Sequence, residues 1–280
     1  MAYTPPPLTE PGGDWSRGSM GHLTRTLLWA SALSLVWIIF VIFAPIASWF
    51  PEGSREAGEV DWLFKFMLAA GGAITILVQV LIVAFVVRYR SQQKHPDDEI
   101  GVQMHGNTRL ELAWTAAPTA LLIVIVFIGM SVWGDEHTRH KNELQLGVNG
   151  FQYGWSFDLP QYGLKNVPIV SIPTNRPVYV SEHSTGGGNT NETYPVIHSF
   201  WVPEFRIKQD VVPGITTHEI FTPDRIGQYR VICTEFCGSG HSTMYTTLNV
   251  VSESDFEKWV VQHGGKLPSA NTTTAQLIRH

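Results

Sequence analysis

Three stretches of this 280-residue chain contain no Asp, Glu, Lys or Arg, and they restrict its fold more than any other feature. They are 27–43, inside the gap from Arg25 to Glu52; 66–87, between Lys65 and Arg88; and 112–134, between Glu111 and Asp135. A helix needs about 20 mostly apolar residues to cross a bilayer, and each gap is long enough. A helix buried in a globular core is the other reading, and it suits the last two poorly. Those two, joined by a short polar loop, read as a transmembrane helical hairpin. The first stretch has two readings. It follows Arg17 and Arg25 as a signal peptide would, yet it is longer than the usual apolar region of about 7–15 residues. No small-x-small cleavage site stands out at 44–48, so a retained extra helix is favoured over a cleaved signal.

Orientation follows from the basic residues. Arg88, Arg90 and Lys94 follow the second stretch, and such clusters beside a helix end stay in the cytoplasm. The segment before it, 52–61, is acid-rich and reads as a loop on the other side. The second helix then runs inward, the third runs outward, and everything after Asp135 lies outside the cytoplasm. The chain divides accordingly into an N-terminal segment (1–26), a first hydrophobic helix (27–50), the hairpin (62–134), an outer domain (135–265) and a polar tail (266–280). Only 15% of the residues are charged, against roughly 25% in soluble domains, which fits membrane lipid as the surroundings of the helices. The net charge is −5 with no basic tract, so no nucleic-acid partner is expected.

The outer domain reads as many short strands. Runs at 144–148, 152–157, 178–180, 219–221, 228–232 and 246–251 are alternating or β-branched. Pro160, Pro173-Thr-Asn175, Pro213-Gly214 and Pro223-Asp224 separate them, which suggests a β-sandwich or barrel. The glycine-rich run 186–191 reads as a flexible surface loop. One helix closes the domain: Ser254-Asp-Phe-Glu257 has a capping-box pattern and Gly264 is placed to stop the helix.

The chemistry is concentrated in Cys233-Thr-Glu-Phe-Cys237-Gly-Ser-Gly-His241-Ser-Thr-Met244. Two thiolates, an imidazole and a thioether select copper over hard cations, and zinc, the main competitor, rarely uses Met. A single blue-copper ion takes one Cys, so one thiolate is in excess here. Two bridging thiolates shared by two copper ions use both. That arrangement requires a second histidine from elsewhere. His198, after a strand-like run, is the best candidate; His137, His140, His183, His218, His263 and His280 read as surface or structural residues. A disulfide between the two cysteines, the only ones in the chain, would leave His241 and Met244 unexplained.

Over 66–261 the chain resembles subunit II of the haem-copper cytochrome oxidases. The resemblance rests on the hairpin, on His198-Ser-Phe-Trp-Val-Pro203, on Lys208-Gln-Asp210 before Pro213-Gly214, and on the cysteine motif. It implies an α+β membrane protein with a cupredoxin-like β-sandwich and a dinuclear copper centre of the CuA type. Cys233 and Cys237 would bridge the coppers, and His198 and His241 would be terminal ligands. Met244 would be a weak ligand to one ion and the Glu235 carbonyl a weak ligand to the other. The Glu235 carboxylate would also reach a magnesium ion shared with subunit I. The implied activity is that of a cytochrome c oxidase subunit in the cell membrane, with its copper domain on the outer side. It would relay single electrons from cytochrome c or another small redox protein to the haem of subunit I for oxygen reduction coupled to proton pumping. Glu111, three residues before Trp114, would stand at a proton-channel entrance; an ordinary helix-start carboxylate is the alternative.

There are departures from the family pattern. The usual Gly-His-Gln-Trp-x-Trp-x-aromatic run is Gly150-Phe-Gln-Tyr153-Gly-Trp155-Ser-Phe157, so Tyr153 replaces the first tryptophan where electrons usually arrive, and the donor is expected to dock near Tyr153 and Trp155, above the copper loop. Tyr194-Pro195 stand where acids precede the upstream ligand, while Asp158 remains. The outer domain holds 14 Asp/Glu against 11 Lys/Arg, so weak charge steering of the donor is expected. A CuA-bearing nitric oxide reductase subunit and a copper carrier remain as alternatives. A quinol oxidase subunit would lack the cysteines, and nitrous oxide reductase would lack the membrane helices.

Overall fold

A computed structural model of the chain describes residues 15–44, 51–89, 106–186 and 194–268. The Arg90/Lys94 cluster, most of the glycine-rich run and the last twelve residues fall outside these. Three long helices come first: α1 (Trp15–Phe43), α2 (Arg55–Tyr89) and α3 (Thr108–His137). Each carries an apolar span long enough to cross a bilayer. Their large apolar side chains, such as Leu28, Phe43, Val86 and Phe127, lie exposed rather than packed. That pattern suits lipid, which solvates apolar side chains while each helix satisfies its own backbone.

The chain forms two compact units. One contains α1, the later part of α2 and the start of α3. Within it, Trp37 Nε1 donates to the Leu68 carbonyl (3.1 Å) and Ser34 Oγ to the Ala73 carbonyl (3.2 Å). The Trp37 indole occupies the space a side chain at Gly72 would need. The first helix starts twelve residues before the predicted 27, because the polar residues ahead of it continue the helix.

The second unit contains the first turns of α2, most of α3 and the outer domain. The acid-rich segment 52–61, predicted as a loop, is largely helix. Ser54 Oγ accepts from Ala57 N–H (3.1 Å) and starts α2 at Arg55. The same segment is stitched to the outer domain. Ser54 Oγ donates to the Phe205 carbonyl, Gly53 N–H to the Glu204 carbonyl, Arg55 N–H to the Thr222 carbonyl, and Thr222 N–H to Glu56 Oε2. Arg206 closes the junction with a two-pronged ion pair to Asp61 (2.7 and 2.8 Å) and a bond from Nη1 to the Pro203 carbonyl (2.7 Å).

The outer domain is a cupredoxin-like sandwich of two five-stranded sheets, in the orders β3-β2-β1-β5-β8 and β4-β10-β9-β6-β7. In chain order the strands are β1 (Leu144–Phe151), β2 (Gly154–Leu159), β3 (Leu164–Val167), β4 (Val170–Pro173) and β5 (Val178–Ser184), followed by β6 (His198–Val202), β7 (Ile207–Val211), β8 (Thr217–Phe221), β9 (Gly227–Cys233) and β10 (Tyr245–Val251). Period-two burial along β1 and β2 points Leu144, Leu146, Val148, Phe157 and Leu159 inward. Phe200, Val202, Val231, Leu248 and Val250 face them from the other sheet.

The predicted strand 152–157 is two elements. Gln152 and Tyr153 form the turn between antiparallel β1 and β2, with Phe151 opposite Gly154. His198 does not follow a strand but opens one, β6, next to β9 in the same sheet. The final helix α4 (Glu253–Gln262) is capped by Ser252, whose side chain accepts from Asp255 N–H, and not by Ser254. Starting there turns Phe256 and Val260 into the core. Gly264, at φ +82°, ends the helix as expected.

One buried group makes this domain pH-sensitive. Glu182, fully buried on the inner face of β5, accepts from Thr217 Oγ1 (3.0 Å). Burial pushes its carboxyl up from an ordinary 4.5 to about 8; hydrogen bonds with Glu219 and Thr217 pull the other way, and the Asp210 charge adds to the rise. A folded-state pKa above the unfolded one means stability is complete below pH 4.5 and is lost as pH climbs to about 8. Below pH 6.5 the buried His198 imidazole, pushed down to about 4, acts in the opposite sense, so the melting temperature of the outer domain is expected to fall between about pH 6.5 and 8. Glu182→Gln should flatten that dependence, and an equally steep fall in the variant would assign it to another group.

Candidate metal centre

The ligand candidates sit at the ends of two adjacent strands and on the connection that follows one of them. Cys233 ends β9, His198 opens β6, and Phe200 of β6 pairs with Cys233. Cys237, His241 and Met244 lie on the connection from β9 to β10. That connection returns on itself through bonds from Cys233 N–H to the Met244 carbonyl (3.1 Å) and from His241 N–H to the Gly238 carbonyl (3.1 Å).

The side chains converge. Cys233 Sγ lies 3.9 Å from Cys237 Sγ, nearly twice the length of a disulfide bond of about 2.05 Å, and both cysteines are free. Cys233 Sγ is 3.9 Å from His198 Nδ1 and 3.3 Å from the Glu235 carbonyl oxygen. Cys237 Sγ is 3.6 Å from both His241 Nδ1 and Met244 Sδ. The six groups proposed from sequence are thus brought together, with His198, Cys233 and Cys237 forming the potential metal cluster found among the described residues. All but Glu235 and His241 are buried, Cys233 and Cys237 to 4% and 3% exposure.

The electrostatics suit a soft cation. Burial, reinforced by the nearby His241, pushes the His198 imidazole down to about 4, so it is neutral at physiological pH and able to ligate. Burial first, and then the adjacent Cys233, push the Cys237 thiol up to about 12. Two thiolates side by side in a dry site repel each other, and cations between them would remove both penalties. The donor set therefore fits copper: soft sulfur and neutral nitrogen. Four of the other outer-domain histidines are engaged elsewhere. His137 and His263 meet the carbonyls of Trp133 and Trp259, His183 meets Thr216, and His218 stacks on Tyr179.

The aromatic pair divides. Tyr153 lies over the copper loop, its hydroxyl 3.3 Å from Ser239 Oγ. Trp155, expected with it at the docking point, is only 3% exposed, because the turn at 152–153 returns β2 to the inward parity. Its ring meets the His198 and Phe200 rings edge-on (centroids 6.0 and 5.6 Å). Trp155 therefore stands beneath the site and not on a docking face.

Two family models match the chain. The transmembrane domain of cytochrome c oxidase subunit II matches residues 44–132 and its periplasmic domain matches residues 189–251. The chain belongs to the cytochrome c oxidase subunit II family. It is 29% identical to cytochrome c oxidase subunit 2 of Thermostichus vulcanus, over 74% of this chain and 76% of that protein. It is 25% identical to the Synechocystis subunit, over 80% of each. It is also 24% identical to quinol oxidase subunit 2 of Bacillus subtilis, over 89% of this chain and 77% of that protein. As a family member it is a membrane protein with a cupredoxin-like domain on the outer side.

Some residues that shape the site were not foreseen. Gly150 leaves room for His198: a Cβ there would stand 3.2 Å from the imidazole Cδ2. Gln152, 7% exposed, donates from Nε2 to the Cys237 carbonyl at 2.6 Å. The Gly-Ser-Gly spacing between Cys237 and His241 was the available signal, since bare backbone invites close approach by a neighbour.

Proposed function

We propose that this chain is the electron-accepting subunit of a terminal respiratory oxidase. It would take single electrons from a small redox protein and pass them to a haem of subunit I, where oxygen reduction is coupled to proton pumping. One observation carries this reading: two free thiols 3.9 Å apart, each faced by an imidazole, with a thioether and a carbonyl completing the set. When bound, a thiolate-bridged copper pair of the CuA type supplies a one-electron carrier with small reorganisation. The chain's part is to hold Cys233, Cys237, His198, His241, Met244 and the Glu235 carbonyl rigidly and to keep water away. The Glu235 carboxylate remains free to join a magnesium ion at the contact with subunit I.

The cysteines favour this reading over a quinol oxidase subunit, and a buried thiol pair inside a sandwich favours retention of copper over carriage. The donor meets the chain at Tyr153, with Trp155 beneath it as a packed route to His198. The helices make the protein multi-pass in the cell membrane, with Arg88, Arg90 and Lys94 on the cytoplasmic side. The domain boundaries at 62–134 and 135–265 follow the same logic. The test is isolation of the intact complex through a tag on this chain. A haem-bearing partner that consumes oxygen with a reduced small redox protein, at a rate only weakly dependent on salt, is expected. Nitric oxide consumption without oxygen uptake, or no haem partner, would overturn the proposal.

Glu111 has a local role that must be separated from proton uptake. Its Oε1 accepts from Asn107 N–H (3.1 Å) while Asn107 Oδ1 accepts from Leu110 N–H (3.2 Å), a reciprocal cap at the start of α3. Glu111→Gln keeps an acceptor there and removes the acid. If Glu111 feeds a proton channel, this variant should slow steady-state turnover severalfold with an unchanged copper spectrum. Full turnover in Glu111→Gln, with a loss only in Glu111→Ala, would leave the cap as its whole role.

A further inference from the structure

The segment Cys237-Gly-Ser-Gly-His241 has a ligand candidate at each end and two glycines between, tied within the loop by the bond from His241 N–H to the Gly238 carbonyl (3.1 Å). Gly238 adopts φ +132°, a conformation that side chains rarely take, and a Cβ there would stand 2.9 Å from Gln152 Nε2. The Cys237 end of the loop is anchored further from outside, by the β1–β2 turn of the opposite sheet. Gln152 donates to the Cys237 carbonyl at 2.6 Å across 85 residues of sequence. Tyr153 lies against Gly238 and Gly240 and reaches Ser239. Two residues earlier, Gly150 abuts the His198 ring. The end of β1 and the turn after it therefore touch both the loop ligand Cys237 and the upstream ligand His198.

We propose that Gln152 is a positioning residue for the copper centre: by fixing the Cys237 carbonyl it holds that thiol at bridging distance from Cys233 and in line with His241. The proposal rests on the copper reading above. A buried amide that donates to a ligand's own backbone sets where the thiol sits before any metal arrives, as outer-shell partners of metal sites do. A packing role alone would need only an apolar side chain of the same length, since Gln and Met fill similar space. Removing the donor should then alter the metal site rather than the fold.

The test uses the full chain in detergent, loaded with copper alone, as parent, Gln152→Met and Gln152→Glu. Both variants keep the length and lose the N–H donor. Each is expected to keep the parental far-ultraviolet circular dichroism and to shift the copper hyperfine pattern and midpoint potential. Each should also lose copper to a Cu(I) chelator about tenfold faster or more. Parental spectra, potential and loss rate in a folded variant would overturn the proposal. Should neither variant fold, the parent still decides it. The Gln152 side-chain amide hydrogens are expected to exchange slowly with solvent in the reduced copper form, and rapid exchange would overturn the proposal. Failure of the parent itself to bind a copper pair would count against the copper reading instead.

Discussion

Cys233→Ser is expected to halve the copper content and abolish any electron shared between two ions, while the sandwich stays folded. Cys233 ends β9, and its Sγ is the atom that faces His198, the Glu235 carbonyl and Cys237 at once. A serine oxygen there is a hard, poorly bridging donor. What remains is one thiolate, two imidazoles and a thioether, the donor set of a mononuclear blue-copper site. Metal analysis should then give one copper per chain and a four-line spin signal. The swap nearly preserves shape, so unfolding stability should move by no more than about 1 kcal/mol. Two coppers with a shared electron in this variant would show that Cys233 is not a bridge. Cys237→Ser should behave alike.

Arg206→Ala is expected to destabilise the outer unit by about 3 kcal/mol, the range for breaking a buried ion pair from one side. Arg206 and Asp61 are 15% and 16% exposed, and the guanidinium makes two bonds to the carboxylate and a third to the Pro203 carbonyl. Removal leaves Asp61 half-buried without its cation and loosens the first turns of α2 from the sandwich. Arg206→Lys should recover little, because an ammonium cannot reproduce the planar fork. Arg206 also holds φ +61°, so Arg206→Gly should cost less than Arg206→Ala by about 0.5–1 kcal/mol through relief of left-handed strain. Denaturant unfolding of the purified chain measures all three. A loss below about 1 kcal/mol for Arg206→Ala would mean the pair is solvated like an ordinary surface bridge.

The candidate donors that converge in the fold were legible because their chemistry is local: soft donors crowded into twelve residues leave few alternatives, and only His198 had to be drawn from elsewhere. The helices were legible because a bilayer tolerates almost no charge. What depended on geometry between distant residues was not. The run from Gly150 to Phe157 is mostly strand-forming, and Gly154 alone is too weak a signal to mark the turn at Gln152 and Tyr153 that places one aromatic outside and Trp155 inside. Ser252 and Ser254 each precede an acid by three residues, and only the burial of Phe256 and Val260 decides which one caps α4. The acids of 52–61 resembled a loop because their partners, Arg206 and Thr222, lie about 150 residues further on. The Gln152 bond to Cys237 escaped for the same reason.

The spin spectrum of the copper-loaded full chain, taken with its metal content, bears most directly on the dinuclear centre. Two copper ions per chain and a seven-line hyperfine pattern are expected, because one unpaired electron would be spread equally over two equivalent copper nuclei bridged by Cys233 and Cys237. A single copper with a four-line pattern, or a preference for zinc under the same conditions, would contradict it.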